Sequence, residues 1–342
     1  MILFKTYYAN QEENQMKKFL ALLLAVMMVF ALCACGNDAG DAGDDAAKSE
    51  DLTFVTGGES GTYYAFGTVL AQHVSDKTGN NVTAVVGNGS QANVEDLDAG
   101  AAQLGFCQSD VMSYAYQGTN IFEETGAVDS FSVVAALYME QVQIVTMNPD
   151  IKSVADLKGK SVSIGASGSG VYFNALDILG AYDLTEDDID AQYLNFADSA
   201  DGLKDGKIDA AFIVAGAPTT AITDLATGGD VYLVSLDEEH LDGLLESSPY
   251  YTKNVIAKDV YGTDEDVITV AVGAVVLARD DVSNEAVYGF VSSVFDNLDE
   301  VTAAHAKGAE CSVEFASSIT DVPYHPGAEQ YFAEQGITVA TK

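Results

Sequence analysis

Positive charge is scarce in this chain. Lysine and arginine together number 15, against 52 aspartates and glutamates, for a formal net charge of −37 at pH 7. Arg279 is the sole arginine. A surface of that sign repels nucleic acid and anionic lipid headgroups, which excludes a DNA-binding role or a charge-driven hold on a membrane surface. Cysteine is rare too. Cys33 and Cys35 lie near the N-terminus, and Cys107 and Cys311 allow at most one disulfide, so this is no disulfide-stapled scaffold. Cys107 follows Leu104-Gly-Phe106 and reads as a small core hydrophobe. His73, His240, His305 and His325 show no ligand spacing with one another or with cysteine, so neither a metal nor another cofactor is indicated. His325, flanked by Pro323 and Pro326, reads as a structural loop residue rather than a catalytic one. Long apolar runs are also missing, with one exception.

That exception is residues 19–32, an uninterrupted apolar stretch behind the basic Met16-Lys17-Lys18. It is short for a membrane span and has the layout of a secretory signal. It closes on Leu32-Cys33-Ala34-Cys35-Gly36. An apolar residue, a small residue and then cysteine is the pattern a bacterial lipoprotein signal peptidase reads. Ala34 lets the cleavage site fit, and the Cys35 thiol takes the diacylglycerol before the chain is cut. Residues 1–34 are therefore expected to be removed and Cys35 to hold the chain on the outer face of the cell membrane. Several acyl chains on one cysteine suffice for stable anchoring. Residues 1–15 fit no signal design, so translation is expected to start at Met16. The small, acidic stretch that follows has no apolar content to bury, and residues 35–50 form a flexible tether.

From about residue 51 the chain alternates strand-like and helix-like segments. Strands are expected at 52–56, 82–86, 104–106, 133–137, 142–147, 160–164, 208–214, 231–234 and 267–277, and helices at 62–78, 92–97 and 171–179, with a short helical turn in 153–159. This alternation predicts an α/β fold with open, largely parallel sheets. The folded region is too long for one comfortable core and suits two. The segments at 142–147 and 267–277 read as crossings between lobes. They delimit a first lobe of residues 51–141 and 273–342 and an inserted lobe of residues 142–272.

Three turns repeat one design of strand, glycine and hydroxyl, then helix. They are Val55-Thr-Gly-Gly-Glu-Ser-Gly-Thr62, Val86-Gly-Asn-Gly-Ser-Gln91 and Ile164-Gly-Ala-Ser-Gly-Ser-Gly170. Each exposes backbone N–H groups at a helix N-terminus, where the macrodipole adds partial positive charge. Ser and Thr hydroxyls there cap the helix or reach a ligand. Ligands of open α/β sheets bind outside the carboxyl ends of the strands, so turns from two lobes describe a cleft for an anion. Glycine turns are also what any strand–helix connection needs. Two enzyme motifs come close without fitting. Gly87-Asn-Gly-Ser-Gln-Ala92 matches a loose dinucleotide fingerprint, but an exported protein has no ready pool of NAD. Gly165-Ala-Ser167-Gly-Ser169 and Gly58-Glu-Ser60-Gly-Thr62 both lack the final glycine of a nucleophile elbow.

At these residues the chain resembles the TAXI class of solute receptors of TRAP (tripartite ATP-independent periplasmic) transporters. The pieces that carry the resemblance are Gly61-Thr-Tyr-Tyr64, Gly89-Ser-Gln-Ala-Asn-Val94, Leu104-Gly-Phe-Cys-Gln-Ser-Asp110, Ile164-Gly-Ala-Ser-Gly-Ser-Gly170, Asp205-Gly-Lys-Ile-Asp-Ala210, Gly216-Ala-Pro218 and Pro323-Tyr-His-Pro-Gly-Ala328. The resemblance implies a type II periplasmic-binding-protein-like fold, two α/β lobes with a ligand cleft and two hinge crossings. It further implies no enzymatic step, a TRAP-type membrane permease as partner, and a small organic acid or amino acid such as glutamate or 2-oxoglutarate as ligand. Carried over residue by residue, it points to Ser60, Gly61, Thr62, Tyr63, Gly89, Ser90 and Gln108, and to Ser167, Gly168, Ser169, Gly170, Val171, Gly216 and Pro218 as ligand-binding. The other large class of TRAP receptors clamps a carboxylate with an arginine. Here Arg279 follows the second crossing and reads as half of a surface ion pair, which leaves an anion to amide N–H groups, hydroxyls and helix dipoles. Gln108 both donates and accepts, which suits an amino acid or amide end. Tyr63 and Tyr64 would wall an aliphatic portion, Tyr64 being the better candidate for plain core. A solute receptor, a lipoprotein enzyme for a small substrate and a surface protein with a vestigial cleft are all compatible with the residues.

Overall fold

The computed structural model describes residues 49–342. The signal segment, the expected start at Met16, the Cys35 anchor and nearly all of the tether lie outside the described residues. Among those described, no helix is long and apolar enough to cross a membrane.

Ten strands form one sheet: β1 (Asp51–Val55), β2 (Asn81–Val85), β3 (Leu104–Gln108), β4 (Phe131–Thr146), β5 (Ser161–Ser163), β6 (Asp190–Gln192), β7 (Ala210–Ala215), β8 (Tyr232–Leu233), β9 (Thr252–Ile256) and β10 (Val267–Arg279). Their order is β2-β1-β3-β10-β4-β7-β5-β6, with β8 on β4 and β9 on β10. The first three strands pair in parallel, as do β7, β5 and β6. Between the two parallel groups, β10 runs antiparallel to both β3 and β4, and β4 antiparallel to β7. The α/β alternation expected from the sequence is present, but the sheet is single and mixed. Local patterning marks a strand without showing its partner, and β10 reaches its place from far along the chain.

The segments expected as separate strands at 133–137 and 142–147 are one 16-residue strand, β4. Nearly every residue of β4 and of β10 is buried. Strands covered on both faces read as continuous apolar runs, not alternation. Each strand serves two cores. Residues 131–138 and 274–278 pack in a core with β1, β3 and the C-terminal helices, whereas Val142, Ile144, Val270 and Val272 pack in a second. A smaller third cluster lies around Val145, Ile213 and Ile222.

The helices that matter for the site are α1 (Thr62–Thr78), α2 (Ser90–Asp98), α3 (Ser109–Gln117), α4 (Val171–Ala181), α5 (Phe196–Lys204) and α6 (Thr220–Ala226). In α1, Tyr63, Phe66, Leu70 and Val74 recur at three- and four-residue spacing and face the core. Gly79 ends the helix in the left-handed region (φ 79°), its N–H donating to the Ser75 carbonyl. Tyr63, not Tyr64, is the core residue of the pair. Its ring stacks on Phe106 at 4.6 Å and 7°, while Tyr64 is half-exposed. Phe66, three residues on from Tyr63, continues the buried stripe; Tyr64 falls off it. Cys107 is fully buried and Cys311 nearly so, both free thiols. His325 caps the helix at Pro326–Glu334, accepting from the Gly327 N–H at 3.2 Å. Arg279 pairs with Asp281 at the surface.

Candidate functional site

The C-terminal ends of the parallel strands all open on one cavity of about 570 Å³. The turn after β1 contributes residues 57–63, the turn after β2 residues 86–90, and β3 its last residue, Gln108. From the other parallel group come Ala166 and residues 169–171 after β5, Asn195, Phe196 and Ala197 after β6, and Val214 and Ala215 of β7. Between them stands Glu140, in the middle of β4. This is where open α/β sheets take ligands, because strand ends and helix starts leave backbone groups free there.

The expected ligand residues fall in two sets. Ser60, Gly61, Thr62, Tyr63, Gly89, Ser90, Gln108, Ser169, Gly170 and Val171 line the cavity. Ser167, Gly168, Gly216 and Pro218 do not. Ser167 is exposed. The Gly168 carbonyl accepts from the Ala92 N–H at 3.0 Å, and the Gly216 carbonyl accepts from the Thr62 hydroxyl at 3.0 Å. Pro218 follows a cis peptide bond. These bonds, with Ala221 N–H to the Ser60 carbonyl at 3.2 Å, tie the turns together across the cavity.

Three helices start at the wall, α1 behind Gly61, α2 behind Gly89 and α4 behind Gly170, and none has a side-chain cap. Other helices do carry one: Asn195 caps α5, which also starts at the wall, and Ser283 caps the helix at Asn284–Phe295. The hydroxyls in the three turns do other work. Ser90 Oγ accepts from the Gln108 backbone N–H at 3.0 Å. Ser169 Oγ and Gln108 Oε1 are buried and, among the described residues, have no partner. Leaving such a group unmet costs about 1–3 kcal/mol, and both atoms belong to residues that line the cavity. Close packing enforces the glycines. A Cβ on Gly170 would sit 1.6 Å from Gln108 Oε1, and one on Gly89 3.1 Å from Ser169 Cα.

Behind the wall runs a buried polar chain. Gln108 Nε2 donates to Asn174 Oδ1 at 3.0 Å, Asn174 Nδ2 donates to Asp110 Oδ2 and to the Tyr251 hydroxyl at 2.8 Å each, and that hydroxyl donates to Asp177. Asp110 is fully buried, and desolvation pushes its carboxyl up to about 6. Glu140, 2 % exposed, is pushed up to about 8 by the same cause. The Tyr63 hydroxyl donates to its Oε2 at 2.6 Å.

Sequence reading did not single out Glu140, Asn195 or Phe196. Glu140 had a signal: it is the one charged residue in the apolar run 131–146. Asn195 had another, as the first residue of Asn195-Phe-Ala-Asp198 ahead of a helix. Phe196 owes its place to α5 packing on Gly61, where a Cβ would be 3.3 Å from its ring. That long-range contact leaves no local trace.

A model of the NMT1-like family matches residues 54–336. The chain belongs to the NMT1-like family. Among solved structures it is similar to a protein from Bordetella bronchiseptica RB50, at 16% identity and TM-score 0.50, over 83% of this chain and 88% of that one. It is also similar to the alkanesulfonate-binding protein SsuA from Xanthomonas axonopodis pv. citri bound to MOPS, at 16% identity and TM-score 0.49, over 85% and 92%. A third is the GluR0 ligand-binding core from Nostoc punctiforme in complex with L-glutamate, at 15% identity and TM-score 0.45, over 75% and 96%. At such identities the likeness is one of fold. The fold is α/β, of the periplasmic-binding-protein type.

Proposed function

We propose that the chain is an extracytoplasmic solute receptor of the TAXI class, anchored through Cys35, that captures a small organic acid or amino acid and delivers it to a TRAP-type permease. The cavity carries this reading. Three helix N-termini without a side-chain cap start at its wall, and two buried polar atoms of lining residues, Gln108 Oε1 and Ser169 Oγ, lack partners among the described residues. Uncapped N-termini favour a carboxylate, and charge-assisted hydrogen bonds there contribute roughly 1.5–3 kcal/mol each. The cavity is sized for a small molecule.

The two cores correspond in this reading to lobes 51–141 with 273–342 and 142–272, and the crossings of β4 and β10 act as hinges. The bonds tying the turns together would then form as the lobes close on solute. Ser60, Gly61, Thr62, Tyr63, Gly89, Ser90, Gln108 and residues 167–171 take the ligand or the closure, with Gly216 and Pro218 shaping the far rim. A thermal-shift screen of small acids and amino acids tests the reading. A solute at a hundredfold excess over its Kd adds about 2.7 kcal/mol of stability. A screen in which no acid or amino acid moves the melt, on protein that carries no co-purified ligand, contradicts it.

A further inference from the structure

We propose that Glu140 is the cavity's receptor for a positively charged group, so that the solute is an amino acid rather than a keto acid, its carboxylate on the helix N-termini and its ammonium on Glu140. This rests on the receptor reading above and narrows its ligand class.

Charge on the wall is one-sided. Glu59, Glu140 and Asp224 line the cavity; among the described residues no lysine, arginine or histidine does. Glu59 and Asp224 are exposed and solvated. Glu140 is not. It is buried in the middle of β4, and its one hydrogen bond among the described residues comes from the Tyr63 hydroxyl. Among the described residues no cation forms an ion pair with it. Lys307 is the positive charge that bears on it, but that ammonium is committed to Glu310 and sits 5.5 Å over the Tyr138 ring. A buried carboxylate without a counter-charge is costly, and a guest ammonium supplies what the protein withholds.

The titratable groups around Glu140 are Tyr63 from α1, Cys107 near the end of β3, Asp110 in the first turn of α3, Tyr138 from its own strand, and Lys307. Only Lys307 is cationic. The Tyr63 donor and Lys307 favour the charged carboxylate, while burial and Asp110 oppose it and prevail. Without a cation beside it, Glu140 is therefore biased toward the neutral acid near pH 7. An arriving ammonium favours the carboxylate, and the proton leaves for solvent as the ion pair forms. A second carboxylate at the same spot would instead need that proton kept.

Titration calorimetry on the mature protein separates the cases. Amino acids are paired with the keto acids of the same skeleton, L-glutamate with 2-oxoglutarate and L-alanine with pyruvate, near pH 7 in two buffers of different ionisation enthalpy. The amino acid of a pair is expected to bind, releasing up to about one proton, with affinity rising by up to about tenfold per pH unit below the Glu140 titration. Glu140→Gln keeps an acceptor for Tyr63; it should abolish proton release and weaken the amino acid by about a hundredfold, leaving the keto acid unharmed. Preferential binding of the keto acid, or amino-acid binding without proton release in wild-type protein, overturns the role of Glu140 while the receptor reading stands. Absence of binding by every amino acid and organic acid overturns both. The wild-type proton count does not depend on how the variant folds.

Discussion

The Tyr63 hydroxyl donates to the Glu140 carboxyl at 2.6 Å, across 77 residues of sequence. The bond joins the first turn of α1 to the middle of β4. It places a side chain suggested by family resemblance against one that nothing in the sequence reading singled out. Tyr63→Phe removes the donor and keeps the stacking on Phe106. It should cost about 1–3 kcal/mol and raise the Glu140 titration further, read by denaturant melts at several pH values.

Stability of the ligand-free protein should fall as pH rises. Asp110 and Glu140 both titrate above their ordinary values of 3.8 and 4.5, at about 6 and about 8. A raised carboxyl stabilises the fold while protonated. Its contribution is complete below the unfolded value and is lost as pH climbs through the folded one. Melting temperature should decline between about pH 5 and pH 8, and Glu140→Gln should flatten the upper part of that decline. A variant with the wild-type slope contradicts the assignment.

Gly170→Ala should disable the site without unfolding the protein. Gly170 has an ordinary helical φ of −69°, so backbone strain is not the issue. The added methyl would meet Gln108 Oε1 at 1.6 Å and push that amide off its seat. Overpacking of this kind costs about 1–3 kcal/mol. Circular dichroism should be unchanged and ligand-induced thermal shift lost.

Ser169→Trp fills the same wall from the β5 side and should abolish binding with the fold intact. Solute binding that survives this substitution would put the site elsewhere.

Much of this architecture was legible. The strand–turn–helix alternation showed in local residue patterns, and the three glycine turns stood out because each packs glycine and hydroxyl ahead of a helix. What stayed hidden was long-range. That β10 threads between β3 and β4 follows from sheet assembly, which strand propensity does not encode. Tyr63 and Tyr64 are adjacent and chemically alike, and only the helical stripe through Phe66 decides which is buried. Phe196 meets Gly61 through helix packing, and Glu140 gains its meaning from what surrounds it. The hydroxyls were expected to cap helices or reach a ligand, and none of the three helix starts has a side-chain cap.

Direct titration of the mature protein with a panel of small organic acids and amino acids bears on the central claim, that this cavity captures such a solute. Saturable one-to-one binding by a member of the panel, lost in Ser169→Trp and with the ligand recovered chemically unchanged, is the predicted result. Turnover of that ligand, or binding indifferent to Ser169→Trp, would contradict it.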